Sequence, residues 1–446
     1  MPKRMIIVLA VVVIVIVIAV LATREDPDVV VDEDVAIEYI LWDASQLPAY
    51  TEVAELFMER NPDIEINIVQ MGWGDYWDDL TRRLATDDAP DVWTNHVAFF
   101  RDFAERGQML ALDDRIEQSD IIELNAFMPG LADLFVFEGA NYGLPKDWDT
   151  IAVLYNKEHV AEAGIDREEL ENLTWNPDDG GSYQEVIQRL TLDVNGNDGL
   201  SPGFDRNNTA RHGFAEAFDA MSAWGQTQFS LLAKTLDWEF HNETATEFYF
   251  DEPEFVSTIE WMRMVTDEGY YLPFEDSESV NELLVAGEVS MVTDGSWMIG
   301  FYTDNMGDNV GFAPIPQGPQ GRNSMFNGLS DAIWSGTDNP EEAWKWVEFL
   351  ASPEAQEIVG SYGVVFPAVA SATEIALDVY AQRGHDVSAY TDLAFDDEKN
   401  HLHPIAANAT QIDSIMQDAF ERIWLAPADP ADELARATAE INALFR

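Results

Sequence analysis

The chain contains no cysteine. Disulfides, thiolate metal sites and cysteine nucleophiles are therefore excluded. Basic residues are scarce: 24 Lys plus Arg stand against 83 Asp plus Glu, a formal net charge of −59. Phosphate recognition needs a concentrated basic patch, so nucleic acid is excluded as a partner. No G-x-x-x-x-G-K-[ST] loop occurs, so the chain is not itself a P-loop ATPase. Neither G-x-S-x-G nor H-E-x-x-H is present. The seven histidines are scattered, and His401 and His403 have the spacing of a strand face, not of a helical metal site. No internal repeat in the solenoid range is visible.

What is present is a long, acidic chain rich in hydrophobic residues. Its 446 residues allow two or three domains, and a hydrophobic content of 47 % excludes disorder for most of it. The acids are dispersed, not confined to a tail. At ~1 M salt the Debye length falls to ~3 Å and most of their repulsion is screened. This pattern predicts adaptation to a saline milieu; the competing reading is an acidic surface that only aids solubility.

Lys3 and Arg4 precede an apolar run from Met5 to Ala22. At ~1.5 Å per residue that run spans ~27 Å, about the thickness of a bilayer core. The basic flank on its N-terminal side predicts that the rest of the chain lies outside. Val20-Leu21-Ala22 offers a small-residue cleavage site, so residues 1–22 read as a signal peptide or as a retained anchor helix. Residues 23–34 read as an acidic tether.

From Val35 the pattern turns globular. Ile37, Tyr39 and Leu41 recur at strand spacing. Tyr50, Val53, Ala54 and Phe57 then share a helical face, which Asn61-Pro62 ends. Ile64, Ile66 and Ile68 alternate again. Strand, helix, strand predicts a βαβ unit and a parallel sheet. Ala89 to Trp93 reads as a third buried strand. Late helices are marked by Ala343, Trp346, Val347 and Leu350, and by Leu434, Ala437, Thr438, Ile441 and Phe445. The class is α/β, and ligands in such sheets bind beyond the carboxyl ends of strands. Trp42-Asp43 and Trp93 to His96 occupy such ends.

Four segments then carry a resemblance. They are LPKDWDTIAVLYNKEHVAEAGI (Leu144 to Ile165), AGEVSMVTDGSW (Ala286 to Trp297), VGFAPIPQGPQGRNSMFNGLSDAIWSG (Val310 to Gly336) and NPEEAWKWVEFLASPEAQEIV (Asn339 to Val359). In this order, and with the terminal DELARATAEINALF, they resemble the extracellular solute-binding proteins of the sugar-binding, maltose-binding type (family 1). The resemblance runs from about Val35 to the C-terminus. It implies a two-lobed periplasmic-binding-protein-like fold of type II, with mostly parallel sheets flanked by helices. The expected lobes are 35–147 with 312–365 and 148–311 with 366–446, closing on ligand by hinge motion. The lipid-anchoring cysteine frequent in that family is absent.

Sugars present hydroxyls at their rims and C–H faces above and below the ring. Their receptors need flat aromatics and carboxylates or amides. Trp297 is the leading candidate: it follows Asp294-Gly295-Ser296 and matches the family's stacking tryptophan, with core packing as the alternative. Asp149 lies where the resemblance implies a ligand carboxylate, and Asp147 is its neighbour; either could instead be a solvated acid. Trp148 should point away from both if the segment is extended. The resemblance also implicates the loops holding Trp42, Asp43, Asn95 and His96, although an isolated loop histidine is common. Ser296, Gly328 and Asp331 join the set, Asp331 also reading as a turn cap. Trp224 and Trp334 are further aromatics with a core reading. Asp193, Asn195 and Asn197 have the first, third and fifth spacing of an EF-hand loop. Asp198 and Phe204 fall where such a loop needs Gly and Glu, so an Asx-turn loop competes with a calcium site.

The expectation is a sugar-binding receptor, without catalysis or cofactor, that acts as a monomer. It would serve the permease and ATPase subunits of an ABC importer from outside the membrane, held there by its N-terminal segment. A secreted carbohydrate-active enzyme, and a non-sugar receptor feeding a sensory partner, are the alternatives.

Overall fold

The computed structural model describes residues 35–216, 228–273, 280–394, 400–426 and 428–446. The N-terminal apolar run and tether, and Trp224, lie outside these residues. Among the described residues no helix is long and apolar enough to cross a membrane.

The chain opens with β1 (Val35–Leu41), α1 (Leu47–Arg60) and β2 (Ile64–Gln70). Pro48 stands in the first turn of α1, where its missing N–H costs nothing. Tyr50, Val53, Ala54 and Phe57 are buried on its inner face. In β2, Ile64 and Ile66 are buried while Glu65 and Asn67 are exposed. α2 (Trp73–Ala85) leads to β3 (Val92–His96) and α3 (Val97–Glu105). β1 lies between β2 and β3, parallel to both.

β4 (Leu144–Asn156) is buried along all 13 residues. Its first half pairs antiparallel with β7 (Ser324–Ile333) and β8 (Phe366–Pro367). Its second half pairs antiparallel with β5 (Met291–Gly295) and β6 (Val310–Ala313). One strand thus belongs to both ends of a curled sheet ordered β6-β4-β7-β3-β1-β2. β9 (Asn400–Leu402) adds in parallel to β7. The expected parallel pairing holds among β1 to β3 and between β7 and β9, whereas β4 pairs antiparallel with all its neighbours and β7 antiparallel with β3.

Two cores flank this sheet. One gathers Ile37, Val53, Trp93 and Trp346; the other gathers Val153, Tyr183, Trp238, Phe420 and Leu434. The helix Ala370–Gln382 buries Ala372, Ala376 and Tyr380 in the first core. It follows directly on β8, which pairs with the first half of β4.

Candidate functional site

A cavity of about 360 Å³ opens where the two halves of the sheet meet. Its floor is β4 and β7, which bring Asp149 and Ile151 beside Asn327 and Leu329. Asp149 and Asn327 are register partners. One wall is the turn after β1, with Trp42, Asp43, Ser45 and Gln46, backed by Trp73 and His96. The opposite wall follows β5 through Asp294 to Trp297 and Phe301, with Thr293 below. Glu216 and Asn281 close the margin.

The aromatic wall is built by mutual support. The Trp42 ring meets Trp73 edge-on at 5.0 Å and Tyr76 at 5.1 Å between centroids. Such T-shaped contacts contribute ~0.5–1.5 kcal/mol each beyond area burial. Across the cavity, the Trp297 ring lies directly against Gly295, in the space a Cβ would fill. The glycine therefore serves the tryptophan's approach, where the sequence suggested a ligand's.

Each acid of the cavity is held by a neighbour. Ser296 Oγ donates to Asp149 Oδ1 at 2.9 Å. Burial, with the Asp147 charge close by, holds the Asp149 carboxyl well above its usual range. Tyr302 OH donates to Asp294 Oδ2 at 2.8 Å, and Tyr271 OH donates to Glu216 Oε2 at 2.9 Å. Among the described residues no Lys or Arg lines the cavity. Thr293 Oγ1 is buried there without a protein partner.

Trp42, Asp43, His96, Asp149 and Trp297 thus reach the cavity. Ser296 stands one layer behind as the donor to Asp149. Several expected residues do not reach it. Asp147 is 1 % exposed and is paired with Lys146 at 2.8 Å. A β-bulge causes this: Leu329 faces Asp147 and Ser330 faces Pro145, leaving Lys146 as the extra residue. Lys146 also reaches the Gln46 side chain and lies 4.4 Å from the Tyr50 ring centroid. Burial alone would lower its pKa, but the Asp147 carboxylate overrides this and holds it above the ordinary lysine value.

Asp331 accepts a 2.8 Å hydrogen bond from Tyr39 OH inside the core, and burial pushes its pKa up to about 7. Asn95 is fully buried on the other sheet face from His96, because successive strand residues alternate. At Gly328 a Cβ would stand 2.6 Å from Leu134, so this glycine serves packing. Trp334 is half-buried against the first core. Trp148 does point away from the acids, stacking on Phe366 at 4.8 Å.

Around Asp193 the loop folds on itself. The carboxylate accepts from the backbone N–H groups of Asn195, Asn197 and Asp205 and from Asn197 Nδ2. These bonds outweigh burial and hold its pKa well below the usual carboxylate range. Both its oxygens are already engaged, as in an Asx-turn loop. Among the described residues no three His, Asp or Glu side chains assemble as a metal site.

Gln46, Trp73, Glu216, Asn281, Thr293, Phe301 and Asn327 were not anticipated. Two carried a signal. Trp73 follows the end of β2, where the strand-end rule applied to Trp42 applies equally. Asn327 lies one residue before Gly328 and alternates into the floor.

Comparison with known proteins places this geometry. A family profile described as bacterial extracellular solute-binding protein matches residues 52–385. A maltotriose-binding protein of Pyrococcus abyssi is 24 % identical over 318 residues, 70 % of this chain and 61 % of that protein. An arabinooligosaccharide-binding protein of Halalkalibacterium halodurans is 24 % identical over 348 residues, covering 74 % and 71 %. Among solved structures, an ABC substrate-binding protein from Listeria monocytogenes in complex with cycloalternan superimposes with a TM-score of 0.79. It is 20 % identical, over 92 % of this chain and 99 % of that one. The GacH receptor of Streptomyces glaucescens gives a TM-score of 0.75 at 18 % identity, over 92 % and 98 %. The profile covers well over half of the sequence, and the two-lobed architecture agrees throughout: the chain belongs to the bacterial extracellular solute-binding proteins.

Proposed function

We propose that the chain is the extracytoplasmic substrate-binding subunit of an ABC importer for a neutral sugar or short oligosaccharide. One observation carries this reading. The cavity takes aromatic rings and carboxylic acids from two walls that meet over the floor strands β4 and β7. Aromatic rings cover the apolar faces of a sugar, and carboxylates accept its hydroxyl protons. The names of relatives that bind maltotriose and arabinooligosaccharide support the ligand class. With four acids and, among the described residues, no Lys or Arg on its lining, the site disfavours phosphorylated or uronic sugars.

Ligand contacting both walls exists only in a closed form, so binding shifts the population towards closure. Membrane permeases with their ATPase subunits would receive that closed form. In this reading the N-terminal segment keeps the receptor at the outer membrane face or is removed after export. The protein acts as a monomer without a cofactor and leaves its ligand chemically unchanged.

The test is titration of the full chain in molar salt with maltotriose, lactose, arabinotriose and mannobiose. Tryptophan fluorescence and calorimetry would follow binding, with chromatography of the recovered sugar. Saturable binding with intact sugar supports the reading. No binding to any sugar would move the ligand to another class, and new products would make the chain an enzyme.

A further inference from the structure

The wall and margin opposite Trp42 draw on separate elements. Asp294 belongs to β5, Phe301 to the helix Ile299–Met306, and Asn281 to the helix Val280–Ala286. All three side chains line the cavity, and Asn281 and Asp294 are half-buried there. Their polar ends meet at one atom behind the wall. The Tyr302 hydroxyl lies 2.8 Å from Asn281 Oδ1 and 2.8 Å from Asp294 Oδ2. Successive helical residues point ~100° apart, so Phe301 reaches the cavity while Tyr302 turns into the core. Tyr302 is fully buried and does not line the cavity itself.

The second oxygen of Asp294 is held as well. The backbone N–H of Gly295 donates to Oδ1 at 2.8 Å. Both carboxyl oxygens thus take a hydrogen bond from the protein, which fixes the plane of the group. A carboxylate has about four lone-pair sites, so two donors can hold it while it accepts from a ligand. Burial, with the Asp294 charge beside it, holds the Tyr302 phenol well above the usual tyrosine pKa, so the hydroxyl keeps its proton. Side chains held before ligand arrives need not be ordered on binding, and they offer their acceptors in one direction only.

We propose that Tyr302 is the positioning residue of this wall: its hydroxyl holds Asn281 and Asp294 as one preorganised unit that selects ligands by the direction of a single hydroxyl group. Asn281 and Asp294 are then the specificity-determining contacts, and Tyr302 acts only through them. The floor acid Asp149 has its own donor in Ser296, so the two acids are set independently. The hydroxyl that is read rests on the sugar reading above; the holding of the two side chains does not.

Two measurements test this on the full chain in molar salt. Tyr302→Phe removes the hydroxyl and keeps the ring, which packs edge-on against Phe301 at 5.3 Å between centroids. Crystal structures of wild type and Tyr302→Phe without ligand read the two side chains. Asn281 and Asp294 are expected to leave their wild-type rotamers in the variant, or to spread over several. Both side chains found in place would overturn the proposal whether or not any sugar binds. Calorimetry then takes whichever panel sugar binds tightest, together with its singly deoxygenated analogues. The parent sugar is expected to bind Tyr302→Phe about tenfold more weakly than wild type. One analogue is expected to bind both proteins alike, because it lacks the hydroxyl that the unit reads. An equal loss for every analogue would mean a general loosening of the wall and would overturn the proposal, as would unchanged affinity for the parent sugar. Should wild type bind none of the sugars, the function reading falls while the crystal structures still decide the role of Tyr302.

Discussion

Trp297 owes its position to a hydrogen atom, the side chain of Gly295. A methyl group there would collide with the indole ring. Gly295→Ala is therefore expected to tip the ring off its seat and weaken sugar binding about tenfold, ~1.4 kcal/mol, in calorimetry. Trp297→Ala should cost at least as much while the folded far-ultraviolet spectrum persists. Asp331 offers a different readout. Its folded pKa of about 7 lies above the ordinary carboxylate value of 3.8, so the folded state holds its proton longer than the unfolded chain. Stability contributed by that proton is full below about pH 4 and declines as pH rises towards 7. Asp331→Asn should flatten that part of the melting-temperature profile, and an unchanged slope would count against it. Residues of this kind are where sequence reading separates from structure. Trp297 and Trp42 were legible because they follow strand ends, and Asp149 because the resemblance to the family implied a ligand carboxylate there. Asp331 and Asp147 carry the same side chain as Asp149, and only their three-dimensional neighbours mark them as interior.

Within the elements, the bulge in β4 is decisive. It turns Lys146 inward beside Asp147, giving an ion pair whose side chains are only 2 % and 1 % exposed. Removing one partner of a buried pair typically costs ~3–5 kcal/mol, because the other charge is stranded. Lys146→Met should lower the denaturation midpoint by that order, and adding Asp147→Leu should recover part of it. A single variant as stable as wild type would show the pair to be dispensable. No feature of the segment LPKDWDT announces the bulge, since it exists only against Leu329 and Ser330 of β7. By contrast α1 and β2 were readable from their own periodicity, because each has one buried face, and β1 from the spacing of Ile37, Tyr39 and Leu41 although Ile40 is buried as well. β4 and β7 are buried along their whole length, so alternation vanishes, and their location came from resemblance to a family. The same limit hid the antiparallel pairing of β4.

For the whole molecule, charge sets the working conditions. With a formal charge of −59, the compact state is strained at low salt and relieved as screening grows. The melting temperature should rise steadily from millimolar to molar potassium chloride, and a salt-independent melt would remove the saline reading. Many of the arginines are already engaged with acids, as Arg83 is with Glu38 at 2.6 Å. Most of the acids have no such partner available, because the chain has too few bases. The shared strand has a consequence for how such a receptor changes its taste. Asp149 and Ile151 touch the cavity from the same strand that ties the two ends of the sheet together. A new preference written on the floor would disturb the joint, whereas the turn after β1 and the segment from Trp297 to Phe301 carry no such second duty. Substitutions that alter ligand preference and spare the joint are therefore expected at the walls, not on the floor.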